Sequence, residues 1–150
     1  MTGAATTTSE PAAPPTSVVI HDLDQARRVL ASAARAERPV RLVSAPGAGA
    51  YLGPALFNEI VERARAAEPA ARTTACLDCG EEPGTAMAAL RHGIDAVTLS
   101  AAPDILAKVA DAAQQAGARV VPPPANALDM AEAGAERRLD DWLRGDTDHD

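Results

Sequence analysis

The sequence has few aromatic residues, only two cysteines, one lysine and no long apolar run. With one Trp, one Tyr and one Phe in 150 residues, its core must be built mainly from Ala, Val and Leu. Two cysteines, Cys76 and Cys79, do not form the disulfide framework of a small secreted domain. No apolar stretch approaches the ~20 residues that span a bilayer, and the first residues lack the basic and apolar regions of a secretory leader. These absences predict a cytoplasmic protein with no membrane partner.

The chain also lacks a basic stripe. Its formal net charge is -7, and the segment from Pro124 onward carries eight acidic residues against three arginines. An acidic chain with few aromatics does not have the surface that binds nucleic acid, so we expect no nucleic-acid partner. Thirteen arginines beside the single Lys108 indicate a bacterial genome of high GC content.

Composition divides the chain into three segments. Residues 1–16 are rich in Thr, Ala and Pro without apolar periodicity, which predicts a disordered tail. Residues 17–123 alternate between apolar runs and helical spacing and predict a single α/β domain. The proline run at 122–124 is interpreted as the end of the regular region. It leaves 124–150 as an acidic tail in which AERRLDDWLRG predicts a short amphipathic helix.

Short β-branched strands alternate with helical segments through the predicted domain. The strands are SVVIH, VRLVS, TTACLD, DAVTLS and RVVP, and four segments of helical spacing connect them. Asp22 followed by Gln25 is the pattern of a capping box at the first helix. Strands joined through helices run parallel. We therefore predict five βα units with a parallel sheet, arranged either as half of a TIM barrel or as an open doubly wound, flavodoxin-like sheet.

Ligands of parallel α/β folds gather at the carboxyl ends of the strands, so candidate site residues are sought there. Each predicted strand is followed by residues that could carry chemistry or contact a ligand. They are His21 and Asp22, Ser44 with Gly47, Gly49 and Gly53, Asp78 with Cys79, and Ser100.

Four stretches of sequence resemble the amino-terminal half of the class II, zinc-dependent ketose-bisphosphate aldolases. They are HDLDQARRVLASAARAERPVRLVS, PGAGAYLG, CLDCG and AALRHGIDAVTLS, within residues 18–121. The resemblance implies that Asp78 matches the catalytic acid/base carboxylate and that Cys79 stands at the first zinc-ligand position. It also implies that Ser44 lies beside the substrate site. The chain departs from the family in having Cys79 instead of His, and PPPANA in place of another metal-site carboxylate.

The two cysteines could take part in metal binding or in redox chemistry, but the position of Cys76 within the strand is unfavourable for both. Zinc could use Cys76, Cys79, Asp78 and His21, but residues 76 and 79 point to opposite faces of a continuous strand. A redox C-x-x-C places its first Cys at a helix start, whereas Cys76 lies within the strand. We predict no required cofactor, with zinc as the one candidate, and two small buried thiols as the simpler interpretation.

The glycine-rich loop could bind phosphate or form only a tight turn. It follows the second strand, and its spacing departs from the dinucleotide fingerprint G-x-G-x-x-G. If it binds phosphate, Gly47 and Gly49 would contact a small phosphorylated molecule, and backbone amides at the amino end of the helix that opens with Pro54 would receive the anion.

These patterns favour a non-catalytic, aldolase-like protein that acts as a small-anion-binding or assembly module. Five βα units cannot close an eight-stranded barrel, which predicts a homo-oligomer. One alternative is a metal-dependent lyase with Asp78 as acid/base. Another is a signalling-type α/β domain, although no Lys follows the last predicted strand.

Overall fold

A computed structural model describes residues 16–145, which form six strands and six helices. Residues 1–15 of the tail predicted to be disordered, and the last five residues of the chain, lie outside the described residues. Thr16, the last residue of that predicted tail, instead begins β1, where it pairs with Val40. The elements are β1 Thr16–Val19, α1 Leu23–Ala36, β2 Val40–Val43, α2 Ala48–Tyr51, α3 Pro54–Ala67, β3 Thr73–Asp78, α4 Pro83–Arg91, β4 Ala96–Thr98, α5 Pro103–Gln115, β5 Arg119–Val120, β6 Leu128–Asp129 and α6 Ala135–Arg144.

All strand pairs are parallel, in the order β5-β4-β3-β2-β1-β6. Strands β1 to β5 therefore follow one another across the sheet, which confirms the five predicted βα units. The long helices form one row, in which α6 packs on α1, α1 on α3, α3 on α4 and α4 on α5. Because this row covers one face of the sheet, the sheet is singly wound, as the half-barrel prediction requires, whereas the doubly wound alternative has helices on both faces.

The two faces of the sheet carry different side chains. The helix-covered face holds the main core, in which strand residues such as Leu42, Leu77 and Val97 pack against Phe57 and the other buried helix residues. The opposite face carries a narrow apolar strip formed by Val19, Val43, Cys76 and Ala96. Val121 and Ala127 pack on this strip and flank the proline run.

The segment 121–127 is named the strap because it crosses the sheet from β5 to β6. A right-handed connection that runs in the opposite direction to the earlier ones must lie on the opposite face. The strap accordingly lies on the face without helices, where Val121 and Ala127 pack on the apolar strip. Val121 also continues the pairing of β5 with β4 by donating its N–H to the Val97 carbonyl oxygen at 2.9 Å. The proline run is thus a crossing within the domain and does not end the regular structure.

The packed domain extends well beyond the boundary expected at residue 123. β6 pairs with β1, and α6 buries Leu139 and Leu143 in the main core. The predicted amphipathic helix is present, but it belongs to the domain because its apolar face has α1 and β1 to cover. Within residues 16–145, no helix combines the length and the apolar character needed to cross a membrane.

Candidate functional site

Ser44 and Asp78 meet at the carboxyl rim, the edge of the sheet where the parallel strands end. The Ser44 hydroxyl accepts a hydrogen bond from the Asp78 N–H at 2.9 Å and donates one to the Ala45 carbonyl oxygen at 3.1 Å. The Asp78 carboxylate accepts from the Gly80 N–H at 2.9 Å. Both side chains therefore hold the loops that follow β2 and β3 in place.

The glycine-rich loop packs directly on the end of β3. A Cβ at Gly49 would lie 2.9 Å from Thr85 Cγ2 and 3.0 Å from the Asp78 carbonyl oxygen. Gly47 begins α2 with φ of +72°, a conformation that side chains rarely adopt. Close packing therefore accounts for Gly49, and the left-handed backbone conformation accounts for Gly47. Ser100, which is exposed, joins the same region by donating its N–H to the Gly80 carbonyl oxygen at 2.8 Å.

His21 is placed at the rim but pairs with a residue from the far end of the chain. Its Nε2 lies 2.7 Å from Asp129 Oδ1, and its backbone N–H donates to Gln25 Oε1 at 2.8 Å. Asp22 accepts the Gln25 N–H at 2.8 Å, which confirms the predicted cap of α1. Within residues 16–145, no hydrogen bond joins His21 to Ser44 or Asp78.

The two thiols lie in different clusters on opposite faces of the sheet. Cys79, 1% exposed, belongs to the main core and lies 3.6 Å from the Leu77 carbonyl oxygen. Burial, followed by the charge of Asp78 and the neighbouring Cys76, raises the pKa of Cys79 to about 12. Burial also raises the pKa of Cys76, whose Sγ lies 3.4 Å from the Thr98 hydroxyl, although this bond and Arg41 oppose the rise. Neither thiol has the low pKa of a reactive cysteine.

The zinc ion that the aldolase resemblance implies does not fit these residues. A zinc site needs three or more ligands that converge, but Cys79 faces the core, Cys76 lies on the opposite face and His21 is paired with Asp129. Among residues 16–145, no group of three or more His, Cys, Asp and Glu side chains could hold a metal ion.

Two large apolar side chains are exposed beside the rim. Tyr51, at the end of α2, is 72% exposed, and Leu56, in the first turn of α3, is 50% exposed. We call them the Tyr51/Leu56 surface. Ala50 and Ala55, their neighbours in sequence, are also exposed, and Glu59, one turn further along α3, is exposed and pairs with Arg63.

Sequence reasoning missed three residues that shape this rim, which are Asp129, Thr98 and Thr85. Asp129 is 108 residues from its partner His21, so no local pattern could link them. Thr98 and Thr85 act through contacts with Cys76 and Gly49 that depend on how β3 packs against β4 and α4. The sequence does carry a signal for Tyr51, because it is the only Tyr and lies between Gly49 and Gly53 in the glycine-rich loop.

Comparison of the whole chain with protein-family models and with curated proteins finds no match.

Proposed function

We propose that the chain is a non-catalytic assembly module on an aldolase-like half-barrel, and that it forms homo-oligomers through the Tyr51/Leu56 surface. The observation that carries this proposal is the contrast at the carboxyl rim. There the polar side chains are engaged in holding loops, while the large apolar ones are exposed. The sequential order of β1 to β5, with helices on one face, supports the aldolase-like scaffold.

The hydrogen bonds of Ser44 and Asp78, within residues 16–145, support a role other than acid/base or nucleophilic catalysis. A catalytic carboxylate requires a neighbouring group or metal to activate the substrate. Asp78 instead accepts the Gly80 N–H, and the hydroxyl of Ser44 is bonded at both its donor and acceptor sides. The functional groups closest to the aldolase pattern are therefore used in folding, which favours a binding role.

A protein contact is the role that best fits the Tyr51/Leu56 surface. Exposed Tyr side chains contribute large apolar area and a polar tip, and aromatic residues are enriched in interfaces. Tyr51 lies at the end of α2, two residues after Gly49, whose close packing on Thr85 and the Asp78 carbonyl oxygen holds α2 in place. A surface held in place before binding loses less conformational entropy on association.

The test is the molar mass of the protein by light scattering across a concentration series. We expect an oligomer that Tyr51→Ser with Leu56→Ser dissociates, with unchanged secondary structure by circular dichroism. Lys108→Ser is the matched control, because it removes a long exposed side chain from α5, away from the rim. A monomer at every concentration, or a double variant with the mass of the wild type, would disprove the assembly proposal.

Lyase activity is tested separately with ketose bisphosphates in the presence of added zinc. We expect no cleavage by the wild type. Cleavage that is lost in Asp78→Asn but retained in the Tyr51/Leu56 variant would overturn the non-catalytic part of the proposal and favour the metal-dependent lyase.

A small phosphorylated molecule is a second candidate partner, supported by three helix starts. The amino ends of α3, α4 and α5 lie at the rim without side-chain caps. Each helix begins with a proline, which has no N–H, and the Thr85 N–H donates to the Glu82 carbonyl oxygen, so the N–H groups of Ala55, Gly84 and Asp104 are the ones that an anion could reach. Glu81, Glu82 and Asp104 stand at the same helix starts and oppose a negative ligand. Titration with inorganic phosphate, followed by amide chemical shifts, would favour this partner if the shifts cluster at Ala55, Gly84 and Asp104, the residues that follow the three prolines.

A further inference from the structure

The carboxyl rim is acidic around the Tyr51/Leu56 surface. The segments at the carboxyl ends of β2, β3 and β4 contain four acidic residues and no Lys, Arg or His, and they are residues 44–58, 78–90 and 99–107. The loop before α4 lies directly beside the loop before α2, since a Cβ at Gly80 would be 3.9 Å from the Gly47 Cα. Glu81, Glu82 and Asp104 are exposed and form no ion pair within residues 16–145.

The opposite edge of the sheet, where the strands begin, is basic. The segments that lead into β2, β3, β4 and β5 contain seven arginines and three acidic residues. We call these segments the basic edge, and they are residues 35–41, 65–74, 91–96 and 115–120. Arg38, Arg91 and Arg119 are exposed there, and none of the three forms an ion pair with another described residue.

Ion pairs within the domain and helix dipoles reduce this separation of charge but do not remove it. Arg65 pairs with Asp95 inside the basic edge, and Arg35 pairs with Asp140 of α6. The helices α1, α3, α4 and α5 begin at the rim and end at the basic edge, and each carries about half a positive charge at its start and about half a negative charge at its end. Four dipoles therefore offset about two charges on each side, which leaves the rim negative and the basic edge positive.

A contact of the Tyr51/Leu56 surface with itself would bring two acidic rims together. In a two-fold symmetric contact the same patch of each copy faces its counterpart. Because the three rim segments contain no Lys, Arg or His, nothing on either copy would neutralise Glu81, Glu82 and Asp104. Like charges brought together across an interface lower its affinity. The Tyr51/Leu56 surface therefore fits a partner surface that is basic.

The basic edge offers groups that suit an exposed Tyr and Leu. Guanidinium groups stack on aromatic rings while they keep their charge, so the exposed arginines can contact Tyr51 and the rim carboxylates together. Pro39 and Pro69 are exposed in the same segments and add apolar area for Leu56. The rim and the basic edge lie at opposite ends of one copy, so both are free to contact neighbours at the same time.

We propose that copies of this chain assemble head to tail, with the Tyr51/Leu56 surface and the acidic rim of one copy docked on the basic edge of the next. The inference rests on the proposed function, since it uses the same surface, and it adds the surface that receives it. The two sides of this contact differ, so each copy uses one side and presents the other. Assembly therefore continues beyond two chains into a ring or an open chain.

Ionic strength tests the charge complementarity on the wild-type protein. Sedimentation velocity gives the dissociation constant at about 0.05 M and about 0.5 M sodium chloride, between which the Debye length falls from about 14 Å to about 4 Å. We expect the dissociation constant to rise about tenfold at the higher salt concentration, because attraction between rim and edge is screened. Two acidic rims in contact would instead repel each other less, so a constant that is unchanged or lower would overturn the head-to-tail contact.

Two variants, each with one side of the contact disabled, test which surfaces meet. The rim variant carries Tyr51→Ser with Leu56→Ser, and the edge variant carries Arg38→Glu, Arg91→Glu and Arg119→Glu. We expect each variant alone to be monomeric and their mixture to form a heterodimer with one copy of each. The native edge of the rim variant still meets the native rim of the edge variant, whereas the two outer surfaces of the heterodimer are disabled and prevent further growth. Native mass spectrometry resolves these species.

A matched control changes the net charge by the same amount away from the basic edge. It carries Arg27→Glu, Lys108→Glu and Arg137→Glu, three exposed residues of α1, α5 and α6, and should keep the wild-type mass. Circular dichroism checks that every variant is folded, and the corresponding Arg→Gln triple variant replaces the edge variant if the latter unfolds.

The outcomes separate this inference from the proposed function. An edge variant that keeps the wild-type mass, while the rim variant dissociates, would overturn the head-to-tail contact and leave the assembly through the Tyr51/Leu56 surface standing. A mixture that stays monomeric, or a control that dissociates like the edge variant, would also overturn it. A wild type that is monomeric at every concentration would disprove the assembly itself.

Discussion

The indole Nε1 of Trp142 donates a hydrogen bond to the Ser17 carbonyl oxygen at 3.0 Å, joining α6 to β1 across 125 residues of sequence. Ser17 lies in a strand whose neighbours are β2 on one side and the two-residue β6 on the other. Trp142 thus bonds to the backbone of β1 where β6 is too short to cover the whole edge.

Trp142→Phe removes this hydrogen bond and keeps most of the apolar contact. We expect the free energy of unfolding to fall by about 1 kcal/mol, the usual net contribution of such a bond. Trp142→Ala also removes the apolar contact and should cost about 3 kcal/mol. Urea denaturation followed by circular dichroism measures both, and equal losses in the two variants would show that the hydrogen bond carries the whole effect.

Gly49→Ala should destabilise the protein because the new methyl group would lie 2.9 Å from Thr85 Cγ2 and 3.0 Å from the Asp78 carbonyl oxygen. We expect a loss of about 1–3 kcal/mol, as for other overpacked sites. Gly84→Ala is the matched control, since nothing lies within 4 Å of its added methyl group and it stands in a helix, where Ala is favoured. Thermal melts of both variants measure the difference. The control should have the wild-type midpoint or a slightly higher one.

Stability should fall as the pH rises above about 9. In the unfolded chain Cys79 loses its proton near its ordinary pKa of 9.0, whereas burial keeps it protonated in the folded protein up to about pH 12. The unfolded state therefore binds fewer protons between these limits, and Cys79 alone lowers the free energy of unfolding by about 1.4 kcal/mol per pH unit. Urea midpoints measured at pH 8, 9, 10 and 11 give the slope. Cys79→Ala should flatten it, and an unchanged slope in that variant would contradict the assignment.

Asp95 should contribute more to stability than an exposed ion pair does. One of its carboxylate oxygens lies 2.6 Å from Arg65 and accepts the Ala75 N–H at 2.8 Å, which joins α3, β3 and the start of β4. Burial lowers the pKa of Arg65, but the hydrogen bonds and charges of Asp95 and Glu62 more than offset this and raise it. We expect Asp95→Ala to cost about 2 kcal/mol.

The control for Asp95 is Glu59→Ala, which breaks an exposed pair with Arg63 within α3. Surface pairs of this kind contribute at most about 0.5 kcal/mol. If both variants lowered the denaturation midpoint equally, the bond to the Ala75 backbone would not be the source of the difference.

The βα alternation could be predicted from the sequence because each strand and helix has its own local signal. Runs such as VRLVS are apolar and β-branched, and the spacing of Leu23, Ala26 and Leu30 has the period of a helix. The β6 strand has only two residues and therefore no periodicity, and it forms because β1 offers an unpaired edge. The proline run predicts a stop because proline breaks helices and inner strands, yet the same residues suit a connection that crosses the face of the sheet.

The sequence predicts where the rim lies, but it does not predict which polar groups at the rim are available to a ligand. Parallel strands fix where Ser44, Asp78 and Ser100 come together, and that much follows from topology. Whether a hydroxyl or carboxylate is available to a ligand depends on which backbone N–H group lies nearby, as Gly80 does for Asp78. Such contacts depend on loop conformations that a single sequence does not specify.

The contact between Trp142 and Ser17 also determines from which side another domain could be attached. Thr16 and Gly145, the first and last residues that the structure describes, each lie within three residues of that contact. A domain joined directly at either of these two residues would therefore leave from the amino-terminal edge of β1, opposite the carboxyl rim. A short linker between the same two points would permit circular permutation, with new ends opened in the loop between α3 and β3.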